Sequence, residues 1–569
     1  MPVARPVEPS DLLRFQTVSD PRIAPDGSRV AYVVTSHNLN QEKPQSAIWI
    51  VQTRYGTPRR LTNPREGSDR SPRWSPDGTR LAFVSTRKGR PQIWLIDPTG
   101  GEARSLETEQ AVISEPVWSP DGRQIAFAAA VYSKASDWTP YPGAPAGDRE
   151  RAATSAAPAK KENGRKDLGV KVITRLQYKL DGLGFFGDLR SQIFVIAADG
   201  SGPARQITEG DYDHQFPAWS PDGRSIYCAA RRDGDADYHN RRDLWRFSLE
   251  GGPPALVLGG LGPILNPAVS PDGSRIAFIG HDNRHFVSTA AQVMVLTLKG
   301  GVADGPPYSL TAPLDRDVSF GALPDIVTEL AMPVCQWTPD GRGLYFLIAD
   351  RGDAYLFFAE ASGGLPVRLS RGEERSVGAF SVSLDGSAAL LVGDAVTPPE
   401  VAFLQDGEER RLTDHNRWAR EQLELVRPER FQYAGADGWP VGGFLIRPVG
   451  HVEGGRWICR SLHQSARQHY LRPEIHPGGR GGPGRGRLCG HPLRGRCRHR
   501  PGRGRPGPDR NGRVELRRLH DLPGRHADRA DQGCRRRRPG GESVLHVRHQ
   551  RYAAVRRVDR RRPAAWARG

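Results

Sequence analysis

One phrase constrains this chain more than any other feature. An apolar residue, then Ser-Pro-Asp-Gly, then an apolar-Ala-aromatic run, returns through the first 415 of its 569 residues. It reads Ala24-Pro25-Asp26-Gly27 before Val30-Ala31-Tyr32, Trp74-Ser75-Pro76-Asp77-Gly78 before Leu81-Ala82-Phe83, and Trp118-Ser119-Pro120-Asp121-Gly122 before Ile125-Ala126-Phe127. Further copies are Trp219-Ser220-Pro221-Asp222-Gly223, Val269-Ser270-Pro271-Asp272-Gly273 and Trp337-Thr338-Pro339-Asp340-Gly341. A worn seventh copy is Val382-Ser383-Leu384-Asp385-Gly386 before Ala389-Leu390-Leu391. Pro presets a turn angle, Asp caps the turn through its side chain, and Gly takes the positive φ, so each copy predicts a tight hairpin.

A second strand follows each hairpin, as in Ala47-Ile48-Trp49-Ile50-Val51, Gln92-Ile93-Trp94-Leu95-Ile96, Gln192-Ile193-Phe194-Val195-Ile196 and Asp243-Leu244-Trp245-Arg246-Phe247. A closing tag recurs as Arg60-Leu61-Thr62, Gln206-Ile207-Thr208, Arg368-Leu369-Ser370 and Arg411-Leu412-Thr413. Strand, turn, strand, loop and strand in about 45 residues predict the blade of a β-propeller, seven blades in all. The seven Asp positions are 51, 44, 101, 50, 68 and 45 residues apart. The long interval reads as one blade carrying an insertion around Ala152 to Glu162, and the 68-residue interval as one blade with an excursion around Asp315 to Asp325. A propeller alone fixes no function.

The net charge of +18 points to a nucleic-acid binder only until it is located. Residues 451–569 hold 31 Arg, no Lys and 9 acidic residues, a balance of +22, while residues 1–450 carry −4. Four of the six cysteines, Cys459, Cys489, Cys497 and Cys534, also lie in that tail, and no CxxC pair occurs. Cys489-x-His491 with Cys497-x-His499 fits no usual zinc spacing, so no metal or cofactor is expected. Met1 to Phe15 lacks a signal peptide's apolar core, and no apolar run approaches the roughly 18 residues of a membrane span. The expected location is the cytoplasm.

After the last tag the chain reads Pro428-Glu429-Arg430-Phe431, then Asp437-Gly438-Trp439-Pro440-Val441-Gly442-Gly443-Phe444-Leu445-Ile446-Arg447-Pro448, two short strands around an Asp-Gly turn. With the repeats, Val172-Ile173-Thr174-Arg175-Leu176 and Gly280-His281-Asp282, this stretch resembles the prolyl oligopeptidase family of serine peptidases, nearest its acylaminoacyl-peptidase and dipeptidyl-aminopeptidase branches. The resemblance implies a propeller that lids an α/β-hydrolase and admits short peptides to a Ser-Asp-His triad.

The segments that should follow Pro448, an oxyanion segment and a Gly-x-Ser-x-Gly elbow, are not found. The tail's serines are Ser461, Ser465 and Ser543. Gly541-Glu542-Ser543-Val544-Leu545 lacks the second glycine, and after Ser543 the only Asp is Asp559, with no His beyond it. No catalytic residue is therefore assigned. The Gly-Arg-Pro tail is either a basic arm for nucleic-acid phosphates or a hydrolase read in the wrong frame. Shifted by one base, Glu515 to Asp521 permits Ser-Tyr-Gly-Gly-Phe-Met, the family's nucleophile elbow, and Arg548 to Asp559 permits a phrase like the family's continuation.

The expected organisation is an N-terminal segment over 1–19 and an all-β, seven-bladed propeller over 20–415. A linker with the first strands of an uncompleted α/β-hydrolase follows over 416–449, then an out-of-frame, disordered tail over 450–569. The expected function is a serine peptidase of short peptides by descent, inactive in this chain. The alternative is a non-enzymatic propeller binding module with a nucleic-acid-binding tail.

Overall fold

In the third copy of the repeated phrase, Ser119 Oγ donates to Asp121 Oδ1 at 2.6 Å, and Asp121 Oδ1 accepts the Arg123 N–H at 3.0 Å. Gly122 stands at φ 68°, the left-handed region that a Cβ disfavours. The other six copies repeat this turn, their glycines lying between φ 68° and 83°. Strands rich in Val, Ile, Phe and Tyr run away from each turn because these side chains fit a pleated surface packed on both sides. Arg29–Ser36 has six consecutive buried residues rather than alternating ones. The reason is that sheets cover both of its faces.

These elements come from a computed structural model, which describes residues 4–37, 44–64, 67–132, 176–180, 184–185, 189–233, 238–318, 332–447 and 461–463. The first sheet is a four-stranded meander of Thr17–Ile23, Arg29–Ser36, Gln45–Gln52 and Arg59–Arg60. The second comprises Asp69–Trp74, Leu81–Ser85, Gln92–Ile96 and Arg104–Leu106. In the third, Gln124–Tyr132 pairs antiparallel with Leu189–Ala197, so the 101-residue interval is an insertion within one sheet. The fourth starts at His214–Trp219 and the fifth at Ile264–Val269. Two further meanders, starting at Cys335–Trp337 and Ser376–Val382, join through a parallel bridge between Ala354 and Ser376 into one eight-stranded sheet.

The repeat predicts three strands in each unit, whereas the structure has four, and five in the fifth sheet. The fourth is the short outer strand that carries the closing tag, and it is too short and exposed to show a period of its own. The tag's hydroxyl accepts a backbone N–H of the third strand: Ile48 to Thr62 at 3.0 Å, Ile193 to Thr208 at 2.9 Å, Leu356 to Ser370 at 2.9 Å, and Val401 to Thr413 at 2.9 Å.

Neighbouring sheets pack face to face, and the tryptophans of the phrase tie them together. Each indole N–H donates to a carbonyl in the first strand of the preceding sheet: Trp74 to Arg22 at 2.8 Å, Trp118 to Arg73 at 3.0 Å, Trp219 to Val117 at 3.0 Å, and Trp337 to Ala268 at 2.8 Å. The ring closes where Ile23 N–H donates to Ser381 Oγ at 2.8 Å and Leu384 N–H to the Pro25 carbonyl at 3.0 Å. Val18, Tyr32 and Val34 of the first sheet share one buried cluster with Ala389, Leu391 and Val401 of the last. Each of the valines and the leucine contributes on the order of 1.5–3 kcal/mol by leaving water. Among the described strands, none from the N-terminus enters the last sheet, so side-chain packing and these two hydrogen bonds hold this seam.

Beyond the ring, Ala419 of helix Arg417–Gln422 and Leu423 just after it pack on Phe15. Glu429–Ala434 and Pro440–Leu445 form the expected hairpin. Within residues 450–569, expected as a tail outside any domain, the described residues are Ser461–His463, a strand paired with Gly443–Leu445.

Candidate functional site

First strands touch first strands around the ring, so they line its axis. Their sequences carry a proline two residues before the turn phrase begins to bend: Asp20-Pro21-Arg22-Ile23, Ser71-Pro72-Arg73-Trp74, Glu115-Pro116-Val117-Trp118, Phe216-Pro217-Ala218-Trp219 and Asn266-Pro267-Ala268-Val269. Proline has no N–H to give a ladder, and an axial strand has one edge without a neighbour in its own sheet. The ladder slips at these positions, between Ser19 and Arg22, Arg70 and Arg73, Gln215 and Ala218, and Leu265 and Ala268. At each slip a non-glycine residue has positive φ: Asp20 at 49°, Ser71 at 56°, Phe216 at 58° and Asn266 at 44°. Such bulges re-aim side chains at a cost in backbone strain, and they concentrate at binding sites.

On the side formed by the first three sheets, the residues around these prolines bring charged side chains together. Asp20 accepts from Arg22 Nε at 2.7 Å and from Arg73 Nη1 at 2.7 Å. The Glu115 carboxylate pairs with Arg73 and lies 3.8 Å from Arg22 Nη2. Burial pushes the Asp20 carboxyl up, but the Arg22 and Arg73 guanidiniums outweigh it and hold its pKa below the usual value. The side chains of Arg73 and Asp20 are 14% and 21% exposed, while that of Glu115 is 45% exposed and is the most accessible member of the group. Beside them lies a cleft of about 350 Å³ walled by Pro25, Trp74, Pro76, Pro116 and Trp118, with Arg73 and Glu115 on its edge. The arrangement offers an apolar wall next to paired charges of both signs.

The cleft lies at the end of the ring where the Asp-Gly turns stand. The exit hairpin is fixed at the other end: Arg430 pairs with the buried Asp353 and donates to the Arg351 carbonyl, in the turn between the second and third strands of the sixth meander. Asp353 also accepts from the Tyr355 hydroxyl at 2.6 Å and the Glu374 N–H at 3.1 Å.

None of the tail candidates joins this site. The backbone of Ser461 pairs opposite Leu445. Ser465, Ser543, Asp559, Cys489, His491, Cys497 and His499 lie outside the described residues, as does the expected Ala152 to Glu162 insertion. Among the described residues no group of His, Cys, Asp or Glu is arranged to hold a metal, and no helix is long and apolar enough to cross a membrane. Asp20, Arg22, Arg73 and Glu115 were missed by sequence reasoning. The signal that finds them is the residue-Pro-residue-apolar phrase in the strand that runs into each Asp-Gly turn.

Residues 14–136 match the TolB beta propeller domain family. The chain is 30% identical to the uncharacterized peptidase YuxL of Bacillus subtilis, over 77% of this chain and 63% of that protein. It is 23% identical to dipeptidyl-peptidase 5 of Porphyromonas gingivalis, over 77% of this chain and 60% of that one. The chain is similar to peptidases of the prolyl-oligopeptidase type. In fold it is similar to an acylaminoacyl peptidase solved with a chloromethyl ketone, with a TM-score of 0.58 and 21% identity over 78% of this chain and 60% of that chain. The acylaminoacyl peptidase of Pyrococcus horikoshii gives a TM-score of 0.57 at 20% identity, over the same shares. The chain thus spans about three fifths of the length of these prolyl-oligopeptidase-type relatives.

Proposed function

We propose that the sheets over residues 17–411 are a seven-bladed propeller, the eight-stranded sheet counting as two blades, that admits short peptides to a serine peptidase of prolyl-oligopeptidase type. We further propose that this chain leaves the hydrolase reading frame near residue 450 and is inactive. The observation that carries the reading is the shifted frame itself. Read one base forward from Arg513, the codons permit Gly-Trp-Ser-Tyr-Gly-Gly-Phe-Met, which supplies both glycines of a Gly-x-Ser-x-Gly elbow. The glycines let a strand and a helix approach so that the serine hydroxyl stands exposed. The exit hairpin at 429–445, anchored through Arg430, supports an in-frame entry into the hydrolase.

Without nucleophile, acid and base, the propeller has no bond-breaking group to offer. A gene with one base restored between codons 448 and 460 should yield a protein labelled by a fluorophosphonate probe. The present chain should stay unlabelled, and its labelling would overturn the inactive reading.

The 31 arginines of residues 451–569 favour a second reading, a propeller module whose tail grips nucleic acid. That reading requires binding that weakens steeply with salt and vanishes on truncation at residue 450.

A further inference from the structure

The charged group on the axial strands contains its own clue to a ligand. Two guanidiniums, Arg22 and Arg73, stand on adjacent sheets, and two carboxylates answer them. The carboxylates are not equivalent. Asp20 lies in the same strand as Arg22 and is held at 2.7 Å by both arginines, so it is part of the frame. Glu115 comes from the third sheet, is the most exposed of the four, and faces the cleft. A tethered carboxylate thus occupies the outward side of an arginine pair at the edge of an apolar pocket. That is the position a free carboxylate from solution would take.

We propose that this cleft binds the C-terminal carboxylate of a peptide whose last side chain is apolar, and that Glu115 is the exchangeable occupant it displaces. The carboxylate accepts from Arg73 and Arg22, a charge-assisted pairing that guanidinium geometry favours. Glu115 swings into water, where a carboxylate is fully solvated. The apolar side chain lies against Trp74 and Trp118, whose indole N–H groups are already committed to the carbonyls of Arg22 and Arg73 and present ring surface only. Pro25, Pro76 and Pro116 complete the wall and carry no N–H that a bound chain would leave unsatisfied. Because the cleft is at the Asp-Gly end, opposite the exit hairpin, the site would hold peptides at the mouth remote from the hydrolase. The inference rests on the reading of the propeller as a peptide filter, but it needs no hydrolysis to be tested.

The test is calorimetric titration of the full chain with the tetrapeptide Ala-Ala-Ala-Phe, with its C-terminal amide, and with an amidated peptide in which one Ala is replaced by Glu. The free acid should bind and the two amides should not. Self-occupation by Glu115 reduces apparent affinity by the fraction of time the site is free, so Glu115→Gln should tighten the free acid by about tenfold. Arg73→Gln should abolish binding. Arg22→Gln, which leaves the Arg73–Asp20 pair in place, should weaken it and guards against a folding defect in the first variant. Equal binding of acid and amide, equal binding of the Glu-containing amide, or no binding to Glu115→Gln would each overturn the proposal. Fluorophosphonate labelling of the frame-restored protein tests the peptidase reading separately, and either result can fail without the other.

Discussion

The Tyr32 hydroxyl meets His415 Nε2 at 3.0 Å across 383 residues of chain, at the seam where the ring closes. His415 Nδ1 lies 3.1 Å from Gln16 Oε1, an acceptor, so the neutral ring donates from Nδ1 and accepts at Nε2. Next to it, the buried Glu400 accepts from the Thr413 hydroxyl at 2.6 Å and from the Asn416 N–H at 3.1 Å, tying the last sheet to the segment that leaves it. Burial pushes the His415 pKa down to about 4, against a smaller upward pull from Asp414.

That shift makes the seam acid-sensitive. A histidine with a lowered folded pKa stabilises the fold fully above its unfolded value of 6.5, and that contribution is lost as pH falls towards 4. Urea midpoints measured between pH 7 and 4 should therefore fall with acid. His415→Gln should show a shallower fall over the same window. An unchanged slope in the variant would remove His415 from the account.

A second acid window belongs to the turns. Hydrogen bonds from Ser270 lower the Asp272 carboxyl to about 2, and those from Thr338 do the same for Asp340. Both are below their usual 3.8, so the unfolded chain binds more protons as pH falls from about 4 to 2, and stability drops there. Asp272→Asn should make thermal midpoints fall less steeply in that range while leaving the neutral-pH slope intact.

Two turn glycines separate backbone strain from ring closure. Gly27 and Gly223 have φ of 71° and 69°, so an alanine at either costs about 1–2 kcal/mol in backbone strain. A Cβ on Gly27 would also lie 2.9 Å from Asp385 Oδ2 across the seam, whereas one on Gly223 meets nothing within 4 Å. Gly27→Ala should be the more destabilising in chemical denaturation, and equal costs would mean that the seam yields without resistance.

Trp74→Phe removes the indole donor but keeps an aromatic ring against the next sheet. The Arg22 carbonyl then loses its inter-sheet partner, at a cost of about 1–2 kcal/mol. Equilibrium unfolding checks the value, and a neutral result would assign the tryptophan to packing alone.

Arg430→Ala leaves the Asp353 carboxylate, 5% exposed, with the Tyr355 hydroxyl and Glu374 N–H as partners. Loss of that charge-assisted contact costs about 1–3 kcal/mol. Hydrogen exchange should then speed up across 429–445 more than in the sheets. Uniform acceleration would place Arg430 in global stability rather than in holding the exit hairpin.

The repeat and its turns were legible in the sequence because their physics is local: Pro, Asp and Gly act within five consecutive residues, and strand character follows from β-branched and aromatic runs. The outer strand was not legible, since pairs such as Arg59–Arg60 are too short to carry a pattern and are held by the Thr62 hydroxyl reaching back to Ile48. The shift of frame proposed for the tail rests on codons and needs no coordinates. The axial charge group is the opposite case. Arg73 and Asp20 are 53 residues apart, and nothing in either strand announces the other. The first strands are brought side by side around the axis only by the stacking of whole sheets, with each tryptophan reaching back to its predecessor. Bulges at the proline steps then turn Asp20 and its neighbours towards one another. A sequence determines its turns residue by residue; which charges meet across three sheets depends on the curvature of the closed ring, which is set by the packing between sheets.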